Sequence, residues 1–294
     1  SQQSLDILAK MYIDDGDCIL CESPTYLGAL SAFNACLPAY REVATDGEGM
    51  VIADLEKALA EEKRAKLIYV IPDFQNPSGK TWSLERRKAF METVSKYDIL
   101  VVEDNPYGEL RFEGTTPPSL KSLDRKGQVV VLGTFSKIFC PGLRVAWVCG
   151  EPAFLESFCN LKQAADLHTS TLSQYEIDAY LSENDIEEHV RTLISVYRER
   201  RDVMIRTMDE AFPSEVTFTR PEGGLFTWAE MPEKVSGRDL FMKALEKKVA
   251  FVPGGAFYPN GGHENTMRLN YSNMPPEKIV EGIRRLGEAL REAL

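Results

Sequence analysis

Three short apolar runs, Leu67 to Ile71, Ile99 to Val102 and Gln128 to Leu132, constrain this chain more than any other feature. They read as near-continuous hydrophobic strands, the pattern of strands buried on both faces of a parallel sheet. Helices alternate with them. Val51 to Arg64 is amphipathic, with Leu55, Ala58 and Leu59 inward. Ser83 to Lys96 is a helix that Ser83 can cap, without a full capping box because Arg86 stands at N3. This alternation predicts an α/β fold with a mainly parallel sheet flanked by helices. Ligands of such sheets bind beyond the carboxyl ends of the strands. Asn76, Asp104 and Lys137 each follow a predicted strand, so they are expected to converge.

Ser1 to Ile13 reads as a helix with Ser1 as N-cap and Leu5, Leu8, Met11 and Tyr12 on one face. Because the chain begins on this helix start, a preceding segment is expected to be absent. Cys18 to Cys21 is a short strand, Leu27 to Leu37 is helical and Pro38 to Val43 is extended. Glu151 to about Ser182 is helical. Asn184 to Phe212 is a long helix whose Arg191, Arg198, Arg200, Arg201 and Arg206 read as a solvated face. After Pro213, short strands (216–218, 225–228, 250–252 and 266–271) mix with helices (237–247 and 276–294). The expectation is a large domain over 1–193 and a smaller α+β domain over 194–294; a chain of 294 residues is long enough for both.

The net charge of −11 argues against a nucleic-acid-binding surface on this portion. No apolar run approaches a membrane span, and the first residues do not form a signal peptide. The six cysteines sit in apolar stretches and read as small buried hydrophobes in a reducing, cytoplasmic compartment. Cys18 and Cys21 form a CxxC, but in a strand their odd spacing turns them to opposite faces. The three histidines have no ligand spacing, so no metal site is expected.

Lys137 lies between two strand-like runs, 128–132 and 145–149, and lysine is rarely buried without a task. Ser136 and Thr134 stand beside it and Arg144 follows. An amine can form a Schiff base with an aldehyde. Hydroxyls and a guanidinium can hold a phosphate. An aldehyde bearing a phosphate is pyridoxal phosphate. Asp104 could pair with its pyridine nitrogen, Tyr107 and Asn76 could bond its ring oxygen, and Tyr26 could stack on its face. The helix that opens with Ser1-Gln2-Gln3 offers free N–H groups to an anion.

The segments Ser1-Gln2-Gln3, Ser23-Pro24-Thr25-Tyr26, Gln75-Asn76-Pro77-Ser78-Gly79, Glu103-Asp104-Asn105-Pro106-Tyr107, Ser136-Lys137, Pro141-Gly142-Leu143-Arg144, Pro221-Glu222-Gly223-Gly224-Leu225-Phe226, Val252-Pro253-Gly254 and Met267-Arg268-Leu269 occur in this order. Together they resemble a fold-type I, class I/II pyridoxal-phosphate aminotransferase. The resemblance is strongest to the branch with 2-aminoadipate, kynurenine and aromatic or branched-chain aminotransferases. It implies that Lys137 carries the cofactor and shuttles a proton, and that Asp104 pairs with the ring nitrogen. Asn76 and Tyr107 would hold the ring oxygen and Tyr26 would lie against the ring. Ser1, Gln2, Thr134, Ser136 and Arg144 would cradle the phosphate. Arg268, with Asn76, would take the substrate carboxylate. His168 would belong to core or interface. The resemblance further implies a homodimer with shared active sites, and an amino acid and a 2-oxo acid such as 2-oxoglutarate as substrates. The alternatives are an aminotransferase-like sensing domain of a GntR-type regulator, and a lyase or decarboxylase on the same scaffold.

Overall fold

The computed structural model describes residues 1–294. In chain order the elements are α1 (Gln2–Tyr12), β1 (Cys18–Ser23), α2 (Leu27–Phe33), β2 (Ala39–Asp46), β3 (Gly49–Met50), α3 (Ile52–Glu61), β4 (Ala65–Val70), α4 (Leu84–Val94), β5 (Leu100–Asp104), α5 (Leu120–Leu123), β6 (Val129–Thr134) and β7 (Ala146–Cys149). They continue with α6 (Pro152–Asp166), α7 (Thr171–Glu183), α8 (Ile186–Ala211), β8 (Thr217–Phe218), β9 (Phe226–Glu230), α9 (Gly237–Glu246), β10 (Val252–Pro253), β11 (Thr266–Asn270) and α10 (Pro276–Ala293).

The first seven strands form one sheet in the order β3-β2-β1-β4-β5-β6-β7. β2, β1, β4, β5 and β6 run parallel, while β3 and β7 close the edges antiparallel. The apolar runs are continuous because both faces are covered. Ile19, Leu67, Tyr69, Val102, Val130 and Leu132 face a core shared with Leu5 and Leu8 of α1 and Phe33 of α2. Their neighbours Leu20, Ile68, Val70, Val101, Val129 and Val131 face Leu55 and Leu59 of α3 and Phe90 and Val94 of α4. The last four strands form an antiparallel sheet, β10-β11-β9-β8. Its core is closed by Met204 and Met208 of α8, Leu240 of α9 and Ile283, Leu286 and Leu290 of α10.

Several local expectations change. Ser1 stands at the N-cap of α1 but its side chain makes no capping bond, whereas the Ser83 hydroxyl accepts from Arg86 N. The helical stretch after Glu151 is two helices, broken where Leu167 takes φ 62 and Ser170 caps α7. The arginines of α8 are not a solvated face throughout. Arg201 is 7% exposed, lies over the Phe112 ring and pairs with Glu113 and Asp202. Arg198 and Arg200 donate to the carbonyls of Phe112 and Ser272. Long arginine stems thus cover apolar surface while their heads find acceptors. Of the cysteines, only Cys18 and Cys21 are buried. Cys36 and Cys140 are half-buried, and Cys149 and Cys159 are exposed, on the edge strand β7 and the surface helix α6.

The loop after β4 is fixed from below by a buried ion pair. Arg87 of α4 donates to Asp73 Oδ1 at 2.8 Å, and both side chains are buried. Arg87 also donates to the carbonyls of Pro72, Trp82 and Pro118, each at 3.2 Å. Removing Arg87 leaves the buried Asp73 carboxylate with only the longer contact to Arg111 at 3.4 Å. Arg87→Met is expected to lose about 3 kcal/mol of unfolding free energy, read from urea titrations.

Candidate active site

Most of the sequence-selected side chains stand where a strand ends or a helix begins. Tyr26 follows β1, Asn76 follows β4, Asp104 ends β5 with Tyr107 just beyond, and Thr134 ends β6 with Ser136 and Lys137 beyond it. Ser1 and Gln2 open α1. Arg144 follows a short 3-10 turn, Pro141–Leu143, at φ 57. Arg268 reaches in from β11 of the second sheet. All eleven line one cavity of about 520 Å³.

Asp104 is 2% exposed. Its Oδ2 accepts from the Tyr69 hydroxyl at 2.8 Å, while its Oδ1, equally buried, has no partner. Burial pushes this carboxyl up to about 6, against the pull of the Tyr69 hydrogen bond. Asn76 is bound on both sides. Its Nδ2 donates to the Tyr107 hydroxyl at 3.5 Å, and its Oδ1 accepts from Arg268 Nη1 at 2.8 Å. The Arg268 guanidinium lies over Phe226 at 4.3 Å and Phe257 at 5.2 Å, and its buried Nε has no partner. Burial first, then the charges of Arg144 and Arg268, lower the affinity of the Lys137 amine for its proton.

Opposite these groups, Ser136 N donates to Thr134 Oγ1 at 3.1 Å, and the two hydroxyl oxygens lie 3.0 Å apart. Gln2 Nε2 donates to Gly28 O at 2.7 Å, tying the start of α1 to α2. Gly28 admits no side chain, since a Cβ there would come within 2.4 Å of the Tyr26 ring. Sequence reasoning missed Tyr69, Phe226 and Phe257. Tyr69 carried a signal: a hydroxyl in an otherwise apolar central strand needs a buried partner. Phe226 stood in a family-like segment without a role of its own, and Phe257 carried no signal, because aromatic residues in short strands and turns are ordinary core.

These residues fit pyridoxal phosphate. The orphaned Asp104 Oδ1 matches a protonated ring nitrogen, and the Lys137 amine, deprotonated more readily than usual, matches an aldehyde. The hydroxyls, Arg144 and the free N–H groups of α1 match a phosphate.

Comparison with known proteins agrees. Residues 1–286 match the family described as aminotransferase class I and II. Aromatic-amino-acid aminotransferase 1 of Thermococcus litoralis is 44% identical over all of this chain and 72% of its own length. The 2-aminoadipate transaminase of Thermus thermophilus is 43% identical over all of this chain and 74% of its own. A crystal structure of Pyrococcus horikoshii kynurenine aminotransferase, in complex with PMP, superposes with TM-score 0.97 at 41% identity, covering all of this chain and 74% of that one. Some helix-turn-helix transcriptional regulators also match, at 27–30% identity. The chain belongs to the class I and II aminotransferases. It has their fold-type I architecture and uses pyridoxal phosphate.

The raised Asp104 carboxyl makes a signed prediction for the cofactor-free protein. A carboxyl at about 6 when folded, against an ordinary 3.8, binds its proton more tightly folded than unfolded. Its burial penalty is therefore full above pH 6 and disappears as pH falls from 6 towards 4. Asp104→Asn is expected to raise the melting temperature at pH 8, by an amount equivalent to about 3 kcal/mol at most. At pH 4 it is expected to change it little. Thermal melts of the two proteins across that range check it.

Proposed function

We infer that this chain transfers an amino group from an L-amino acid of the 2-aminoadipate, aromatic or branched-chain type to a 2-oxo acid such as 2-oxoglutarate. The observation that carries the reading is the single cavity in which the orphaned Asp104 oxygen, the Lys137 amine and the Arg268 guanidinium meet. The names of the relatives support the range of side chains. Pyridoxal phosphate, when bound, supplies an aldehyde and a ring that accepts the electron pair left on the substrate α-carbon.

The chain's own residues do the rest. Asp104 holds the ring nitrogen protonated. Tyr26 lies on the ring face, and Asn76 and Tyr107 hold the ring oxygen. Ser1, Gln2, Thr134, Ser136 and Arg144 bind the phosphate. Arg268, steadied by Asn76 and by its aromatic bed, grips the substrate α-carboxylate. Lys137 would hold the aldehyde carbon, and its Nζ would carry a proton between the substrate α-carbon and that carbon, on the far side of the nitrogen that joins them.

The large domain of this reading is 1–193 and the small one 194–294, each with its own sheet, while Leu225 and Phe226 join the first core and Phe112 joins the second. The working unit is a homodimer with shared active sites. The apolar side chains left open on and beside α7, Leu167 (76% exposed), Leu172 (69%) and Tyr175 (73%), support that assembly. Six unpaired cysteines suit a cytoplasmic, reducing setting, and no helix is long and apolar enough to cross a membrane. The charge of −11 argues against a nucleic-acid-binding surface on this portion.

The test is the absorbance of the protein with pyridoxal phosphate while glutamate, 2-aminoadipate, kynurenine and leucine are added in turn. Conversion of the bound cofactor to its amine form, reversed by 2-oxoglutarate, is expected. Binding without conversion would overturn the enzyme in favour of a sensing domain. Lys137→Ala is expected to abolish steady-state transfer. Arg268→Gln is expected to raise KM for both substrates by about a hundredfold through loss of a buried charge pair.

A further inference from the structure

Tyr69 belongs to none of the roles above, yet it is fully buried in the middle of the parallel sheet. It lies on β4, paired with Val102 of β5, so its side chain comes up beside Asp104 from the neighbouring strand. Its ring packs edge-on against Phe33 at 5.6 Å and 80°. A phenylalanine would pack there equally well. What the tyrosine adds is one hydroxyl, and that hydroxyl's hydrogen bond goes to Asp104 Oδ2 at 2.8 Å. With Oδ2 already bonded, Oδ1 is the oxygen with its full accepting capacity left for an incoming donor, and it is the one left unpartnered.

We propose that Tyr69 is a positioning residue that acts through Asp104: its hydroxyl turns Oδ1 towards the cofactor's ring nitrogen and keeps the carboxyl ionised there. This rests on the reading of Asp104 given above. Two further facts support it. Burial and the Asp104 charge raise Tyr69's own ionisation well above that of a free phenol, so it stays a donor throughout the working range. Its bond also opposes the burial that pushes Asp104 towards its neutral form. The remaining charged or titratable groups around Asp104 are Tyr26, Tyr107, Lys137, Arg144 and Arg268 on the cavity wall and the amino group of Ser1. None of them is hydrogen-bonded to the Tyr69 hydroxyl, whose one bond goes to Asp104. The difference between wild type and Tyr69→Phe therefore isolates the proposed effect.

The experiment titrates pyridoxal phosphate into the cofactor-free protein between pH 5 and pH 9. It also records the ¹⁵N shift of the ring nitrogen in labelled cofactor. Binding should weaken as pH falls through the Asp104 ionisation. In Tyr69→Phe that midpoint is expected to move upward by about one to two pH units, the worth of one hydrogen bond to a charged group. The ring nitrogen is expected to become less protonated at pH 7. Phe33→Leu, which loosens the ring but spares the hydroxyl, is expected to lower the melting temperature and leave the midpoint in place. If Tyr69→Phe does not fold, 3-fluorotyrosine at position 69 keeps the shape with a stronger donor and should move the midpoint downward. An unchanged midpoint and ¹⁵N shift in Tyr69→Phe or the fluorinated protein would overturn the proposal, as would an equal shift in Phe33→Leu. Failure of the wild type to bind the cofactor would instead sink the reading of the site itself.

Discussion

A buried carboxylate with one oxygen unpartnered is costly, and in this protein the Asp104 carboxylate is where a strand end becomes a site. Three other carboxylates are as deeply buried, Asp73 in its pair with Arg87 and two that meet uncharged donors. Glu22 accepts from Ile71 N and from Trp82 Nε1, both at 2.9 Å. Glu103, next to Asp104 in the chain, accepts from Leu120 N at 2.9 Å and Lys121 N at 3.0 Å. Each of these has both oxygens bonded, and each ties a loop to the sheet. The alternation of β5 turns Glu103 to one face and Asp104 to the other. One face of a strand end thus serves the scaffold and the other is left with unmet bonding capacity. The fold tolerates that because the surrounding sheet is covered on both sides and the loops are pinned independently.

The parallel sheet was legible because burial on both faces leaves a plain trace, runs without polar alternation, and Leu67 to Ile71, Ile99 to Val102 and Gln128 to Leu132 carry it. The edges were less legible. β7 runs antiparallel to β6, and nothing in Ala146-Trp147-Val148-Cys149 distinguishes the two directions. The site residues that hold polar side chains in strand-end loops could be found, since Asp, Lys, Asn and Arg in those places call for an explanation. The residues that act behind them could not. Phe226 and Phe257 matter by lying under Arg268, a fact of tertiary placement. The arginines of α8 failed for the same reason: periodicity gives the face of a helix but not what the next segment brings to it, and here residues 112–113, 221 and 272 supply the acceptors.

The seam between the two sheets carries the last step. Arg268 belongs to the antiparallel sheet, yet its guanidinium is bonded to Asn76 of the parallel one. Around that contact the sheets are joined by Thr25 N to Phe257 O at 2.9 Å and by Thr219 Oγ1 to Ser78 O at 2.8 Å. Farther out, Asn260 N meets Glu42 Oε1 at 3.2 Å. Thr25 directly precedes Tyr26, Ser78 lies two residues beyond Asn76, and Phe257 is part of the bed beneath Arg268. The bonds that hold the sheets together are therefore made by the loops that carry the site. A shift of one sheet against the other moves Arg268 relative to Asn76 and Tyr26, but leaves Asp104, Tyr69 and Lys137 fixed within the parallel sheet and its loops. The geometry separates two tasks. On the proposed reading, the groups that set the electronics of the cofactor stand on the parallel sheet and its loops, and the cation for the substrate carboxylate stands on the antiparallel one.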